Sequence, residues 1–513
     1  MKNAQKKCAL TPQYLSPNQL ILDGFETPFE KKLNQNNRWV ILAHLIPWDE
    51  ICSLYIKHVG ISETGRPALN PRVVIGSLVI KYLCKLDDRE TVEQISENIY
   101  MQYFLGYSSF TDEAPFDASS LVHFRKRLGI ESVNAINEKI VELKTKFESA
   151  KSKTNSTATS VNSDKKDKDT HEPENKGRVI YDATACPQNI AYPTDLDLLS
   201  HAREKTEKLI DKLYNKTTHN KKPRTYRKIA RKRYLKTAQK KNKSRNEIRK
   251  AVGAQLGYIK RNLRAINQLL DTLPTMPLKQ KDLKDLFVIN TIFDQQSQMY
   301  KLKTHSVEDR IVSINQPHVR PIVRGKSHAK TEFGAKIHVT LIDGISFLDE
   351  LSWDAFNEGS HLMIYVEKYR KRFGFYPKEI LADKIYCTRI NRAALKEKGI
   401  RLVAKPLGRP SAVQEHLSPG ERNPIEGKFG QAKTGYGLNC IKARLKGTSE
   451  VWIACIFLVL NLVKLAGTAL PCLIVKLFES FSANLSKIIF NRFDDDKPWL
   501  ACSKWFYPTL IEL

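Results

Sequence analysis

The chain has 513 residues, a formal net charge of +29 and 41% hydrophobic residues. That is ample apolar content for a folded core, and the length allows roughly two to four domains. Lys and Arg in such excess repel one another unless an anion is bound, so a polyphosphate partner is expected. The nine cysteines are scattered, with no Cys-x-x-Cys pair and no Cys/His cluster at zinc spacing, which predicts reduced thiols in a cytoplasmic protein.

The first twenty residues, MKNAQKKCALTPQYLSPNQL, contain no apolar h-region, so no signal peptide is expected. Residues 31–148 read as a helical N-terminal domain. NPRVVIGSLVIKYLCKL (70–86) begins with Asn and Pro and spaces its apolar residues helically. DRETVEQISENIYMQYFLGY (88–107) follows, with Asp88 as cap. FDASSLVHFRKRLG (116–129) has Asp117 or a serine as N-cap, Leu121, Phe124 and Leu128 as its apolar stripe and Gly129 as stop. His123, Arg125, Lys126 and Arg127 are assigned to its opposite face. Capped helices ending in a basic one suit a helix-turn-helix-like DNA reader; an ordinary bundle with a solvated basic face fits the same pattern. Residues 149–177 are Ser, Thr, Lys, Asp and Asn with little that is apolar, a disordered linker.

RVIYDATACP (178–187) reads as a strand carrying an acid. A long helical stretch follows from about 195 to 273, and a basic helical insertion is placed at 196–300. Its window 201–250 holds 20 Lys and Arg against 4 Asp and Glu, a net charge of +16. Arg227, Arg231, Lys232 and Arg233 lie there, interleaved with Tyr226 and Tyr234, and predict salt-sensitive contact with nucleic-acid backbone. From about 333 the pattern turns to period two. FGAKIHVTLIDGISFLDELSW alternates around Asp343-Gly344, a hairpin signal. A helix (361–373), the strands EILADK (379–384) and IRLVAK (400–405) with a helix between them, a helix at 423–434 and an apolar helix at 451–467 complete the order. Asn461, Lys464 and Pro471 interrupt the apolar stretch 451–475, which predicts a buried helix closing the core and no membrane span. Residues 468–513 are left as a C-terminal tail.

A hairpin followed by β-α-β units gives a mixed sheet with flanking helices. Asp182 and Asp383 each follow an apolar strand, where a side chain leaves the core. With Glu426 from a later helix they would make an oxygen-only site for hard divalent ions. Each acid also has a plainer reading: Asp182 and Asp383 as caps or ion-pair partners, and Glu426 as the third helical residue of a capping box begun by Asn423 and Pro424. At about 100° per residue, Glu426 and Lys433 fall within about 20° of one another, beside an apolar stripe of Ile425, Phe429 and Ala432. A cap does not require that.

These residues resemble the DDE transposases of bacterial insertion sequences. IPWDEICSLY, GRPALNPRVVIGSLVIKYL, DRETVEQISENIYMQYFLG and ASSLVHFRKRLG resemble their N-terminal helical domain. YDATACPQNIAYPTDLDLL resembles the first-Asp motif and QPHVRPIVRGKSHAKTEFGAK the lead into the hairpin. ADKIYCTRINRAAL carries the second Asp, and RNPIEGKFGQAKTGYGLNCIKARL reproduces the family's spacing of Arg422, Glu426 and Lys433. One departure is Pro419, where the family often has Tyr. The resemblance implies an α/β catalytic core of ribonuclease-H-like type over 178–467, a mixed five-stranded sheet with flanking helices, joined to the all-α N-terminal domain and the basic helical insertion. It implies Asp182, Asp383 and Glu426 as catalytic acids holding two Mg²⁺ (or Mn²⁺). Arg422, Lys433 and Lys428 would contact DNA phosphate. It further implies binding of terminal inverted repeats and target DNA, cleavage and strand transfer, an active homodimer and a cytoplasmic, nucleoid-associated place in a bacterium. A catalytically inactive, domesticated DNA-binding descendant, or a structure-specific nuclease on the same core, are the other classes that the pattern allows.

Overall fold

The computed structural model describes residues 33–59, 69–154, 174–214, 221–273, 275–323, 331–404 and 420–465. Most of the expected linker (155–173) and all of the C-terminal tail (468–513) therefore lie outside the described residues. Residues through Leu462 form one compact unit.

The described residues begin with helices α1 (Arg38–Leu45), α2 (Trp48–Val59) and α3 (Pro71–Cys84). The Asn70 side chain accepts the Arg72 N–H at 2.9 Å and Pro71 opens α3, as the sequence signals predict. The expected helix 88–107 is two helices, α4 (Asp88–Glu97) and α5 (Ile99–Leu105). Asn98 divides them because its side chain accepts the Tyr100 and Met101 N–H groups and so starts a new helix. The cap of α4 is Asp87, in a capping box with Glu90. Asp88, expected as the cap, turns inward instead. Helix α6 (Ser120–Thr154) is broken at Gly129, whose φ of 63° takes it out of helical geometry.

Strand β1 (Arg178–Pro187) lies at the centre of a mixed sheet. Between it and β2 (Arg320–Val323) come α7 (Asp195–Leu213), α8 (Arg227–Ala238), α9 (Arg245–Asp271) and α10 (Gln280–Leu302). These bury a core of their own, in which Leu199, Ile259, Ile289 and Ile292 are almost fully enclosed. Strands β3 (Thr331–Ile342) and β4 (Ile345–Ser352) form the hairpin, with Asp343 and Gly344 at φ 48° and 80° in its two-residue turn. Helix α11 (Leu362–Phe373), β5 (Glu379–Leu381), α12 (Arg389–Glu397) and β6 (Arg401–Val403) follow. Then come α13 (Asn423–Gly430) and the apolar helix α14 (Lys446–Leu465).

The described sheet has six strands, not the expected five, in the order β2-β3-β1-β5-β6 with β4 also on β3. The additional strand is β2 (Arg320–Val323), antiparallel to the start of β3. Gly334 marks this crowded corner, where a Cβ would run into the Cys186 carbonyl. β1 is antiparallel to β3 and parallel to β5, and β5 is parallel to β6. Helices α11 and α12 cover one face through Leu362, Tyr365, Val366 and Leu395.

Two polar clusters join the N-terminal helices to the rest. In the first, Lys81 and Arg125 both pair with Asp88, at 2.9 and 2.7 Å. Lys81 is 1% and Arg125 3% exposed, and both cations lie over the Trp452 ring of α14. In the second, fully buried Asn461 of α14 accepts from the Ser346 N–H and hydroxyl at 2.9 Å each, and donates to the Ser346 carbonyl and Asn137 Oδ1 at 2.7 Å each. By length and composition α14 could cross a membrane, yet most of it is buried within the protein. Asn461 is buried with its polar capacity met by Ser346 and Asn137, as the reading of a core helix predicts.

Two outcomes are expected. Asn461→Leu keeps the branched shape and orphans the Ser346 and Asn137 groups, so urea melts should show a loss of roughly 3 kcal/mol. Combining it with Asn137→Leu should cost clearly less than the sum, because the two share partners. Separately, burial first, then Lys446, Arg320 and Lys284, pushes His318 from the ordinary 6.5 down to about 4. A lowered histidine leaves the unfolded chain binding the extra proton. Its contribution is therefore present above 6.5 and lost as pH falls toward 4. Melting temperature should fall less steeply over that window in His318→Phe, which keeps the edge-on ring contact with Trp353.

Candidate active site

The site is built on the parallel pairing of β1 and β5. Arg178 lies opposite Glu379, Val179 opposite Ile380 and Ile180 opposite Leu381. Two residues further on, the same register brings Asp182 alongside Asp383. β5 stops at Leu381 while β1 continues to Pro187, so both acids face the gap left where β5 ends. Asp383 caps the short 3-10 turn Lys384–Tyr386 by accepting the Lys384 N–H at 2.7 Å. Asp182 accepts the Ala183 N–H at 2.8 Å. The plain capping roles are therefore present, and each uses only one oxygen.

One guanidinium joins the two acids. Arg422 Nη2 lies 3.2 Å from Asp182 Oδ2, and Nη1 lies 3.4 Å from Asp383 Oδ1. Arg422 is held in place by its neighbour, since Arg178 bridges Glu379 at 2.9 Å and Glu421 at 3.0 Å. Burial pushes the Asp182 carboxyl above its ordinary value; Arg422 and the Ala183 N–H pull it down, while Asp383 and Glu358 add to the rise. Two carboxylates already sharing one cation make an oxygen-only site whose chemistry fits a hard divalent ion.

Glu426 stands differently. Arg422, not Asn423, occupies the N-cap of α13, and no side chain caps it. The expected capping box is thus absent: Asn423 is already helical, so its side chain cannot cap. Ile425, Phe429 and Ala432 are buried, as the predicted stripe requires. Glu426 is exposed and has no ion-pair partner among the described residues. Nor do three or more His, Cys, Asp or Glu there form a metal-holding group, so Asp182 and Asp383 come together without Glu426. The expected helix to 434 gives way at Gln431–Gly435 to a π-helical turn. This wider turn sets Lys433 further round from Glu426 than an ideal helix would. Lys85 donates to the Thr434 carbonyl at 2.9 Å and fastens the turn to the N-terminal helices.

Sequence reasoning passed over Glu358, which pairs with Lys336 and is near enough to raise Asp182. It also passed over the clamp beneath Asp383. A Cβ on Gly359 would strike the Ile385 carbonyl, and the buried Asn391 amide donates to the Gly359 and Tyr386 carbonyls at 2.7 and 2.9 Å. Only a tight Asn-x-Gly turn (357–359) hinted at it.

Among the basic residues, His123, Lys126 and Arg127 are exposed. Arg125 is not: it is buried on Asp88, which removes it from the proposed DNA face. On α8, Arg231, Lys232 and Arg233 are exposed, and Arg227 pairs with Asp211 at 2.9 Å. The interleaved tyrosines are already engaged. Tyr234 donates to Asp197 at 2.7 Å, and Arg261 lies over the Tyr226 ring.

Residues 27–127 match a family described as a transposase domain (DUF772), and residues 380–463 match one described as a transposase DDE domain. The second match spans Asp383, Arg422, Glu426 and Lys433. An uncharacterised protein, ORF8 in the nfe locus of Rhizobium meliloti, is 33% identical over 176 residues, covering 34% of this chain and 72% of that protein. No solved structure matches. On the two domain matches and this relative, the chain belongs to the DDE transposases of bacterial insertion sequences.

Proposed function

We propose that the protein binds the terminal inverted repeats of an insertion sequence, cuts the DNA there and joins the freed ends to target DNA. The observation that carries this reading is the register of β1 and β5, which sets Asp182 and Asp383 side by side on one cation. The sheet supports a ribonuclease-H-like core, with an antiparallel hairpin on one side of β1 and two parallel strands on the other.

In this reading Asp182, Asp383 and Glu426 hold two Mg²⁺ or Mn²⁺ ions. Such ions supply an acidified water and stabilise charge as a phosphodiester is attacked. The remaining work belongs to the chain. Asp182 and Asp383 fix the cation position from the rigid sheet. Glu426 completes the site from α13. Arg422, Lys428 and Lys433 approach the phosphate, beside the positive end of the helix that bears Glu426. The exposed residues His123, Lys126, Arg127, Arg231, Lys232 and Arg233 hold backbone further from the cut, with Arg227 at the start of α8. Joining two ends requires a pair of active sites, hence a homodimer in the active complex, at work on the bacterial nucleoid in the cytoplasm.

The test is Mg²⁺-dependent cleavage of DNA carrying the element's ends. Asp182→Asn and Asp383→Asn should each lower the rate by about 10³-fold, the loss of several kcal/mol of charge stabilisation, while still binding the DNA. Full activity in either variant would sink the assignment. Binding without any cleavage by the wild type would mark an inactive descendant. Replacing Arg231, Lys232 and Arg233 together by Ala should weaken binding to all duplexes alike. The slope of log K against log salt should then flatten by about 0.9 for each phosphate that the variant no longer neutralises.

A further inference from the structure

Two negative carboxylates converging at a strand end repel one another, and burial disfavours the charge of Asp182 further. That cost is offset by Arg422, whose two terminal nitrogens each take one acid. The arrangement leaves a donor unused, because Arg422 Nε is buried with no hydrogen-bond partner among the described residues. The side chain is 20% exposed, so solvent and solute can reach it. It springs from the N-cap of α13, close to the positive end of that helix's dipole, where an anion is favoured.

We propose that Arg422 is a built-in counter-ion which competes with divalent metal for Asp182 and Asp383, and that a DNA phosphate, by taking Arg422 over, opens the acid pair to the metal. This rests on reading those acids as the cation site. A divalent ion held between the two carboxylates and a guanidinium bridging them would set two cations against one acid pair, so each weakens the other's hold. A phosphate at the N-terminus of α13 offers Arg422 an alternative charge-assisted partner, including an acceptor for Nε. DNA arrival and metal loading then favour each other, and the coupling must be reciprocal.

The competition is measurable without any turnover. Mn²⁺ is titrated into the full-length protein without DNA and free ion is read by electron paramagnetic resonance. Arg422→Gln should bind Mn²⁺ about tenfold tighter than the wild type, the worth of two partly exposed ion pairs. Arg422→Lys keeps the charge but cannot span both acids, so it should fall between the two. Thermal melts check that each variant is folded; if the Gln variant is not, the Lys variant carries the comparison. Equal or weaker Mn²⁺ binding by the folded variants overturns the proposal. Asp182→Asn separates the two levels: if it binds Mn²⁺ as the wild type does, the acids are not the cation site and the underlying reading fails instead.

A second arm uses a fluorescent duplex of arbitrary sequence in EDTA. The double variant Asp182→Asn, Asp383→Asn releases Arg422 and should bind the duplex more tightly than the wild type. That gain should vanish when Arg422→Gln is added. If the gain persists without Arg422, it is only the loss of negative charge, and the proposed hand-over of Arg422 to phosphate is wrong.

Discussion

Holding two carboxylates together in a partly buried place is the constraint around which the structure is arranged. Repulsion opposes it, and desolvation of Asp182 adds to that. The sheet supplies the rigidity: β1 is fixed on both sides by β3 and β5, and its register with β5 decides that Asp182 meets Asp383 and no other residue. The Gly359 and Asn391 contacts secure the turn after Asp383 from below. Arg422 supplies the compensating charge, and the Arg178–Glu421 pair delivers Arg422 to its place. Each layer is needed because the one inside it is electrostatically unfavourable alone.

The same logic recurs at a distance from the acids. Lys81 and Arg125 are nearly fully enclosed and share a single carboxylate, so Trp452 provides the second favourable surface for both. Burial lowers the Lys81 ammonium pKa, and Asp88 opposes that. Removing one member of such a group leaves a buried charge unmatched, which costs far more than the group contributes intact. The N-terminal helices therefore do not hang beside the sheet on a tether. They share buried charge and buried amide networks with α14.

Much of this was legible in the sequence, for identifiable reasons. Local signals were strong where one residue type suffices: Asn70-Pro71 as a helix start, Asp343-Gly344 as a two-residue turn, Gly129 as a helix break. The acids were visible because a charged residue directly after an apolar strand is conspicuous. Their pairing was not, since register is a long-range property. Arg125 was misplaced by grouping neighbouring basic residues on one face. It follows Leu121 by four positions, so helical spacing sets it with the buried stripe. The capping box at Glu426 was a reasonable local reading that backbone geometry overrode, the helix having begun one residue earlier. Glu358 carried no signal, because only the packing of its turn against Lys384–Tyr386 brings it near Asp182.

The position of Asn461 has a consequence for how the molecule is made. Its hydrogen bond to Asn137 spans 324 residues. A ribosome adding about 5–20 residues per second needs roughly half a minute to cover that interval. Throughout that time the Asn137 amide, and Lys81 and Arg125 beneath Trp452, wait for a helix not yet synthesised. The N-terminal helices thus reach their final packing only after the sheet, the insertion and the acid-bearing turns have all emerged. A truncated product would expose unpaired polar groups and apolar surface together, and so be a target for proteolysis.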